Sequence, residues 1–215
     1  MKSPTFNEPQ WLRLTRSFYD KHAGSYVINT KAMFDHEWLE EFAKLLPCNG
    51  KVLDVGCAGG RDSIWFTDKG FEVQGIDLSP EMIRLAKAAD TRPQFSVMDL
   101  LTLEFPSDFF DGVWSSCVLL HIPRNLLQSA ITELCRVTKP LGYIYVLVKG
   151  GQTEGMEKDD RYGGDEKFAS YFEEEEIAQS FIDVGARIIH RSSMDKRIDE
   201  YRAKKRVFLI AQKVG

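Results

Sequence analysis

The residues that most clearly indicate a binding or catalytic site lie in one short segment, in which an apolar strand enters a glycine-rich turn. The segment runs from Lys51 to Gly60 and reads KVLDVGCAGG. A second carboxylate, Asp77, ends the next apolar run, 21 positions after Gly56. This order of elements is typical of a nucleotide-type cofactor site at the carboxyl edge of a parallel sheet. It consists of a strand, a glycine turn, a helix and a second strand that ends in an acidic residue.

The residues of the turn discriminate between two kinds of cofactor. A dinucleotide turn follows G-x-G-x-x-G, but the second and third glycine positions counted from Gly56 hold Ala58 and Arg61. The carboxylate of Asp54, two residues before the turn, would also repel a pyrophosphate. S-adenosylmethionine carries an ammonium and a sulfonium instead, which a carboxylate attracts. The turn therefore favours a cationic cofactor without phosphates.

The sequence DVGCAGG, from Asp54 to Gly60, resembles the first motif of the class I S-adenosylmethionine-dependent methyltransferases. Their pattern D/E-x-G-x-G-x-G is met at Asp54, Gly56 and Gly60, and Ala58 replaces the middle glycine. The resemblance spans roughly residues 50 to 150. It implies that the turn surrounds the methionine half of the cofactor, which a small residue at position 58 permits, with contacts from Asp54, Gly56, Cys57, Ala58 and Gly59.

The resemblance also implies which later residues hold the adenosine half of the cofactor. Asp77 would accept charge-assisted hydrogen bonds from both ribose hydroxyls. Asp99, at the end of the third predicted strand, would accept from the adenine amino group, and the next amide, of Leu100, would meet a ring nitrogen. The alternative for Asp99 is a solvated carboxylate at the start of a loop. The remaining expected cofactor contacts are Leu78, Met82 and Ser115.

The amino-terminal sequence FYDKHAGSY contains a second motif. It resembles the Y-D-x-x-A-x-x-Y segment that precedes the core of many small-molecule methyltransferases of the quinone-biosynthesis type. The resemblance implies that Tyr19 and Tyr26 help to cover the cofactor, because a sulfonium is attracted to aromatic faces and reacts best away from water. The alternative is that both tyrosines only pack a terminal helix onto the sheet.

The loop after the fourth predicted strand is where a methyl acceptor would approach. It contains His121, the histidine that we expect to act in catalysis by taking a proton from the acceptor. The alternative is a structural histidine, since similar loops of the family use it to cap or pack a turn. The long polar segment from Lys149 to Phe172 is predicted to be an irregular loop over the acceptor pocket. In it, Lys149, Arg161 and Tyr162 would bind an anionic acceptor or remain solvated.

The sequence favours a small-molecule acceptor by elimination. The loop after the fourth strand lacks the N/D-P-P-Y/F pattern of nucleobase amine methyltransferases and the paired glutamates of arginine methyltransferases. No set of Asp and Asn residues suggests a metal site, so no metal is expected. Two alternatives stay open. One is an RNA or protein methyltransferase that uses a basic face at residues 197–206, and the other is a catalytically silent, cofactor-binding partner subunit.

Composition is consistent with one enzyme domain. The chain has 215 residues and a net charge of −4, and therefore lacks the overall basic character of most nucleic-acid binders. Its four cysteines form no C-x-x-C pair and no secretory leader is evident, so we expect a cytoplasmic protein with reduced thiols and no membrane association. The oligomeric state is left open. The single domain divides into a helical lid (1–48), a cofactor-binding half (49–150) and a substrate loop with a terminal helix and strand pair (151–215).

The order of apolar runs and helical patterns predicts an α/β fold. Helices are expected at residues 9–22 and 31–46, before the first strand. The last two strands, at 186–192 and 206–213, are joined by a segment too short for a crossover helix, so they should pair antiparallel. Together with the family resemblance, this implies a Rossmann-like seven-stranded sheet of order 3-2-1-4-5-7-6, with strand 7 antiparallel and helices on both faces.

Overall fold

The computed structural model describes residues 8–31, 36–197 and 203–215. These residues form six helices and nine strands. The helices are α1 (Gln10–Thr30), α2 (His36–Lys44), α3 (Arg61–Asp68), α4 (Pro80–Ala89), α5 (Arg124–Val137) and α6 (Glu174–Asp183). The strands are β1 (Lys51–Val55), β2 (Glu72–Asp77), β3 (Gln94–Val97), β4 (Phe110–Ser116), β5 (Thr138–Lys149), β6 (Glu154–Asp159), β7 (Asp165–Ser170), β8 (Ala186–Arg197) and β9 (Ala203–Lys213).

Seven of the strands form one mixed sheet in the order β3-β2-β1-β4-β5-β9-β8. The neighbours from β3 to β5 pair in parallel, whereas β9 pairs antiparallel with both β5 and β8. This arrangement confirms the predicted sheet, because β8 and β9 are the sixth and seventh strands once the inserted β6 and β7 are set aside. The reversed strand is therefore the second from the edge.

Both faces of the sheet are covered by helices, so the central strands read as continuous apolar runs. On one face, Leu53, Val113 and Val146 pack with the apolar stripe of α5, which repeats as Leu127, Ala130, Ile131 and Leu134. On the other face, α2 and α3 cover a cluster that includes Trp114 and Tyr145, whose rings stack with centroids 3.8 Å apart. Parallel strands buried on both sides have this composition.

The bounds of the first two helices differ from the sequence prediction. The first helix does not end at His22 but continues to Thr30, although Gly24, Val27 and Ile28 have low intrinsic helix propensity. Tertiary contacts support this last part of the helix, since Tyr26 packs against Tyr19 and Tyr162. The second helix begins at His36, and residues 32–35 lie outside the described part of the chain. Residues 198–202 of the predicted basic segment also lie outside it.

The prediction of an irregular loop after the fifth strand is wrong. This segment contains a β-hairpin, in which β6 and β7 pair antiparallel from Glu154–Ser170 to Asp159–Asp165. Its polar surface gives no strong apolar alternation, which is why the strands were not evident from the sequence. The hairpin packs against α1, so together they form the roof over the carboxyl edge of the main sheet.

Candidate cofactor and acceptor site

A cavity lies at the carboxyl ends of β1, β2 and β4, beneath α1. We call it the roofed cavity. Its floor includes the glycine turn after β1, its far end includes the residues after β2 and β3, and α1 closes it from above. The predicted site residues that line it are Tyr19, Tyr26, Gly56, Ala58, Asp77, Leu78, Asp99, Leu100 and His121.

The glycine turn owes its shape to left-handed backbone conformations. Gly56 has φ of 68° and Ala58 has φ of 46°. A Cβ added to Gly56 would overlap a methyl carbon of Val118, so both the backbone angle and the contact require glycine. The backbone N–H of Ala58 donates to Oδ2 of Asp77 at 2.9 Å, which joins the turn after β1 to the end of β2.

Asp77 organises the floor of the cavity through both carboxylate oxygens. Its Oδ1 accepts from the backbone N–H of Ser79 at 2.9 Å, beside the start of α4, while Oδ2 accepts from Ala58. Burial raises the pKa of Asp77 to about 6, although the hydrogen bonds from Ser79 and Ala58 oppose that rise. A buried acceptor at this position suits a ligand that brings its own donors, as ribose hydroxyls do.

Helix α1 is held over the cavity by contacts with α4 and with β7 of the hairpin. Asp20 of the Y-D-x-x-A-x-x-Y segment accepts a 2.5 Å hydrogen bond from the hydroxyl of Ser79, the N-cap residue of α4. The backbone N–H of Phe168 on β7 donates to the hydroxyl of Thr15 at 3.0 Å. His22 lies 2.6 Å from the carboxylate of Asp165, also on β7. These hydrogen bonds thus connect α1 to both α4 and the hairpin.

The two motif tyrosines lie on the cavity side of α1. Tyr19 and Tyr26 contact each other edge to face, with ring centroids 5.2 Å apart, and both line the cavity. Burial raises the pKa of each hydroxyl above its ordinary value, so both remain protonated near neutral pH. Tyr26 in turn stacks against Tyr162, which is buried between α1 and the hairpin.

His121 lines the cavity but both of its ring nitrogens contact protein groups. Nδ1 lies 2.7 Å from the carbonyl oxygen of Phe168, which can only accept, so Nδ1 carries the proton. Nε2 lies 2.7 Å from the hydroxyl of Tyr19 and accepts from it. Burial lowers the pKa of His121 to about 3. The imidazole is therefore neutral, and its one lone pair is engaged.

A second cleft adjoins the roofed cavity. We call it the polar cleft. It lies between the end of α1, the start of α3 and the carboxyl end of β5, and both Cys57 and Gly59 line it. The two spaces share part of their walls. The shared residues are Tyr26, Gly56, Ala58, Ser116 and Cys117.

Asp54 lines the polar cleft and is almost completely buried. The hydroxyl of Ser63 donates to it at 2.6 Å. Burial, aided by the nearby Asp62 carboxylate, raises the pKa of Asp54 to about 8. Asp62 itself accepts from Arg61 at 2.7 Å and from the indole N–H of Trp114 at 3.1 Å. A bound cation would favour the ionised form of Asp54.

Two expected cofactor contacts lie outside both spaces. Met82 is fully buried within α4, where its backbone N–H donates to Ser79, and it does not reach the cavity wall. Ser115 is also fully buried, because it faces the sheet interior one residue before the chain leaves β4. The next residues, Ser116 and Cys117, line the cavity instead, and Cys117 takes a left-handed φ of 62°.

Sequence reasoning missed the residues that α1 contributes beyond its two tyrosines. They share one helical face and are Trp11, Leu12, Thr15 and Arg16. Their spacing of one, four and five residues, continued at Tyr19, is the pattern of one face of a helix, so it was available in the sequence. It carried no motif that separates a cavity wall from an ordinary packing face.

Arg161 and Tyr162 line neither space. Arg161 forms a hydrogen-bonded ion pair with Asp159 at 2.6 Å in the hairpin turn.

Among the described residues, no group of three His, Cys, Asp or Glu side chains is arranged to hold a metal ion. Within the same ranges, no helix has the length and apolarity needed to cross a bilayer.

The fold and the position of the two spaces define a Rossmann-like cofactor-binding protein of the class I methyltransferase type. Residues 53–146 match the family model described as a methyltransferase domain. This segment, which is less than half of the chain, is similar to the class I S-adenosylmethionine-dependent methyltransferases, whose cofactor is S-adenosylmethionine. The left-handed turn and the buried acceptor Asp77 fit such a ligand, because neither supplies a counter-charge for a pyrophosphate.

Curated relatives share only part of their length with this chain. A 2-methyl-6-phytyl-1,4-hydroquinone methyltransferase from Synechocystis is 38% identical over 120 residues, which cover 54% of this chain and 35% of that protein. A tRNA (carboxymethyluridine(34)-5-O)-methyltransferase from Arabidopsis thaliana is 31% identical over 114 residues, or 53% of this chain and 27% of that protein. The chain thus corresponds to about a third of each.

A solved structure matches the fold over the whole chain. The 1,6-didemethyltoxoflavin-N1-methyltransferase of Burkholderia thailandensis has a TM-score of 0.71, is 18% identical and covers 100% of this chain, which in turn covers 94% of it. That enzyme was crystallised with its substrate and S-adenosylhomocysteine bound. At this identity the likeness establishes the fold.

Proposed function

We propose that the protein transfers a methyl group from S-adenosylmethionine to a small-molecule acceptor. The observation that carries the proposal is the wall shared by the roofed cavity and the polar cleft. A donor that extends from the roofed cavity into the polar cleft would place its sulfonium at the wall formed by Gly56, Ala58, Ser116 and Cys117, where an acceptor can meet it. Holding two reactants in line supplies much of the rate of such a displacement.

The adenosine half of the donor would occupy the roofed cavity. Asp77 would accept from the ribose hydroxyls, and Leu78, Asp99 and Leu100 would surround the adenine. Oδ1 of Asp99 already accepts from the backbone N–H of Leu101 at 2.9 Å, which fixes the orientation of its carboxylate. A carboxylate held by the backbone in this way positions its second oxygen without further loss of side-chain entropy.

The amino-acid end of the donor would extend into the polar cleft past Ala58. That part of the cleft holds both signs of charge, with Asp54 for an ammonium and Arg61 for a carboxylate. Arg61 also donates to the carbonyl oxygen of Thr30 at 2.8 Å, so the same guanidinium fixes the end of α1. We infer that Cys57 and Gly59 contact the donor through their backbone only.

The chemistry itself comes from the sulfonium, which activates its methyl carbon toward displacement by an electron pair of the acceptor. The chain positions both partners and excludes water. Tyr19 and Tyr26 place aromatic faces against the shared wall, where a sulfonium is stabilised. His121 holds Tyr19 through its Nε2, so in this closed arrangement it acts as a positioning residue for the roof. Direct proton abstraction by His121 would first require the Tyr19 bond to break.

An open cavity beside His121 favours an enzyme over a silent partner subunit, for which a filled cavity is expected. The comparisons do not support setting nucleic acid aside as an acceptor, since one relative acts on tRNA. A small molecule remains our proposal, because the roofed cavity lies beneath α1 and, among the described residues that line it, Arg16 is the one Lys or Arg side chain.

Calorimetric titration tests the donor, and methyl-labelled S-adenosylmethionine tests the acceptor. We expect saturable binding of S-adenosylmethionine and S-adenosylhomocysteine and no binding of NAD. Label should then pass to one member of a panel of phenols, amines, thiols and carboxylic acids. Transfer of label only to bulk tRNA or to protein would contradict the small-molecule acceptor. Absence of S-adenosylmethionine binding would contradict the whole proposal.

A further inference from the structure

A continuous chain of hydrogen bonds joins helix α1 to the glycine turn through the start of α4. The hydroxyl of Ser79 donates to Oδ1 of Asp20 on α1 at 2.5 Å. The backbone N–H of Ser79 donates to Oδ1 of Asp77, and Oδ2 of Asp77 accepts from the backbone N–H of Ala58. Ser79 and Asp77 line the roofed cavity, whereas Asp20 lines neither space. Ser79 therefore connects Asp20 to any ligand that binds Asp77.

The hydroxyl of Ser79 forms two hydrogen bonds with different roles. As the N-cap of α4 it accepts from the backbone N–H of Met82 at 3.1 Å, and it donates its own proton to Asp20. An N-cap serine only needs to accept, so capping by itself does not explain the presence of Asp20. Ser79 is 1% exposed, and without Asp20 its buried hydroxyl would lose the acceptor of its proton. Asp20 therefore fixes the orientation of this hydroxyl.

Asp20 and Asp77 also interact through their charges. Burial is the main cause of the raised pKa of Asp77, and the Asp20 carboxylate adds to it, while the bonds from Ser79 and Ala58 oppose the rise. Two carboxylates on one serine repel each other, and each receives one donor from that serine. Hydroxyl donors of a ribose on Asp77 would stabilise its ionised form and offset the repulsion. A ribose bound there therefore favours the arrangement in which Asp20 stays close.

Consecutive residues of α1 are hydrogen-bonded on two sides of the cavity. Tyr19 lines the cavity and donates to His121 in the loop after β4, whereas Asp20 accepts from Ser79 at the start of α4. The contact of His22 with Asp165 leads instead to the hairpin. Among these contacts, the one made by Asp20 leads to the carboxylate that is expected to hold the ribose.

We propose that Asp20 is a positioning residue that couples binding of the donor ribose to the fixing of α1 over the cavity. This inference rests on the proposed methyl transfer and on the expected contact between Asp77 and the ribose. Ribose hydroxyls would hold Asp77, Ser79 and Asp20 in one arrangement, and the fixed helix would in turn hold the ribose site. Coupling of this kind is reciprocal, so the strength of the ribose contact must depend on Asp20.

Ligands that lack one ribose hydroxyl test the coupling. S-adenosylhomocysteine and its 2′-deoxy and 3′-deoxy analogues are titrated calorimetrically into the unmodified protein and two Asp20 variants. We expect the unmodified protein to prefer S-adenosylhomocysteine over at least one analogue by about tenfold, because a charge-assisted bond is lost. Asp20→Ala should reduce this preference to about threefold or less. Asparagine retains an oxygen that accepts from Ser79, so Asp20→Asn should keep most of the preference.

Two further variants identify the path of the coupling. Ser79→Ala removes the hydroxyl through which Asp20 acts, so adding Asp20→Ala to it should cause no further loss of preference. His22→Ala is the matched control, because it loosens α1 at its 2.6 Å contact with Asp165 of the hairpin. It should weaken all three ligands by the same factor.

Hydrogen exchange measures the coupling in the unmodified protein. S-adenosylhomocysteine should protect the amides of α1 more strongly than the less tightly bound deoxy analogue, with both ligands at saturation. In Asp20→Ala the two ligands should protect α1 equally. Equal protection in the unmodified protein would contradict the coupling without the use of any variant.

Several results would overturn the inference while leaving methyl transfer standing, provided that the protein still binds S-adenosylhomocysteine. They are an unchanged preference in Asp20→Ala, an equal loss in Asp20→Asn or His22→Ala, and a further loss when Asp20→Ala is added to Ser79→Ala. Equal affinity of the unmodified protein for all three ligands would remove the ribose contact on which the inference depends. Absence of S-adenosylhomocysteine binding by the unmodified protein would instead contradict the proposed function itself.

Discussion

The hydroxyl of Tyr19 on the roof helix donates to Nε2 of His121 across the roofed cavity, at 2.7 Å. The same imidazole donates from Nδ1 to the carbonyl oxygen of Phe168 on the hairpin. One neutral ring thus joins the loop after β4 to both parts of the roof. Tyr19, the expected cofactor contact, and His121, the expected catalytic base, are therefore hydrogen-bonded to each other in the folded protein.

This pairing predicts how His121 variants behave. His121→Ala and Tyr19→Phe should both loosen α1, because each leaves a buried partner without its hydrogen bond, at a cost of about 1–3 kcal/mol. Hydrogen exchange of α1 amides should be faster in both variants, with a similar loss of affinity for S-adenosylmethionine. A conservative control is Tyr143→Phe, which removes a tyrosine hydroxyl on β5 outside both spaces.

The pH dependence separates a positioning role from a base. Because the pKa of His121 is lowered to about 3, the turnover of labelled cofactor should show no ionisation of this residue between pH 5 and 8. An inflection near pH 6.5 that disappears in His121→Gln would contradict the positioning role and support His121 as a catalytic base. The measurement is kcat/KM across that pH range for both proteins.

Proton release should accompany donor binding. The pKa of Asp54 is raised to about 8 and that of Asp77 to about 6, so both are partly protonated in the free protein near neutral pH. A cationic donor favours the ionised forms, so its affinity should rise with pH between 5.5 and 8, by up to about tenfold per unit for each proton released. Calorimetry in buffers of different ionisation enthalpy counts the protons.

The same groups set the stability of the free protein. Their folded pKa values lie above the unfolded values, so the folded chain holds more protons, and stability is lost as pH rises between about 4 and 8. Asp54→Asn should reduce that loss and raise Tm at pH 8, while flattening the upper part of the affinity profile. The exposed Glu37 offers the control Glu37→Gln, and a flat affinity profile in the unmodified protein would contradict the assignment.

Asp77 is expected to contribute to the donor site both directly and through the turn. Asp77→Ala should weaken S-adenosylmethionine binding by roughly 1–3 kcal/mol, since charge-assisted bonds of this type are worth that much. Asp90→Ala, at the end of α4 and outside both spaces, is the control in the same region. Unchanged affinity in Asp77→Ala, measured by calorimetry, would rule out the ribose contact.

The contact between the glycine turn and the roof can be tested by a double-mutant cycle. A Cβ added to Gly59 would lie 2.5 Å from Cγ2 of Val27 on α1, and Gly59 has no left-handed φ to complicate the change. Gly59→Ala should therefore cost about 1–3 kcal/mol in the free energy of unfolding and weaken donor binding. Adding Val27→Ala should restore much of both, as measured by denaturant titration and calorimetry.

Additive effects of the two substitutions would contradict the contact between Gly59 and Val27. If Gly59→Ala and Val27→Ala destabilise independently, the roof does not pack on the turn in the folded protein. Gly24→Ala is the control on the same helix, because a Cβ there meets nothing within 4 Å and should stabilise α1 slightly.

Local sequence was sufficient for the sheet and for the floor of the site. The family resemblance of the glycine motif supplied the order of the main sheet, and the short connection between the last two strands predicted that they pair antiparallel, because a parallel strand requires a crossover. Gly56, Ala58 and Asp77 were found because backbone shape and strand ends are short-range properties. The hairpin was not found, since its strands are polar and are stabilised by packing on α1 rather than by their own apolar pattern.

Contacts between distant residues were decided only by the tertiary structure. The sequence named Tyr19 and His121 as separate candidates, 102 positions apart, and no spacing rule predicts that their side chains meet. The way in which helices and strands pack also keeps Met82 and Ser115 out of the cavity. It also places Lys149 directly opposite Arg206 in the sheet. A residue's type fixes what it can bind, whereas its partner depends on long-range packing, which local patterns do not encode.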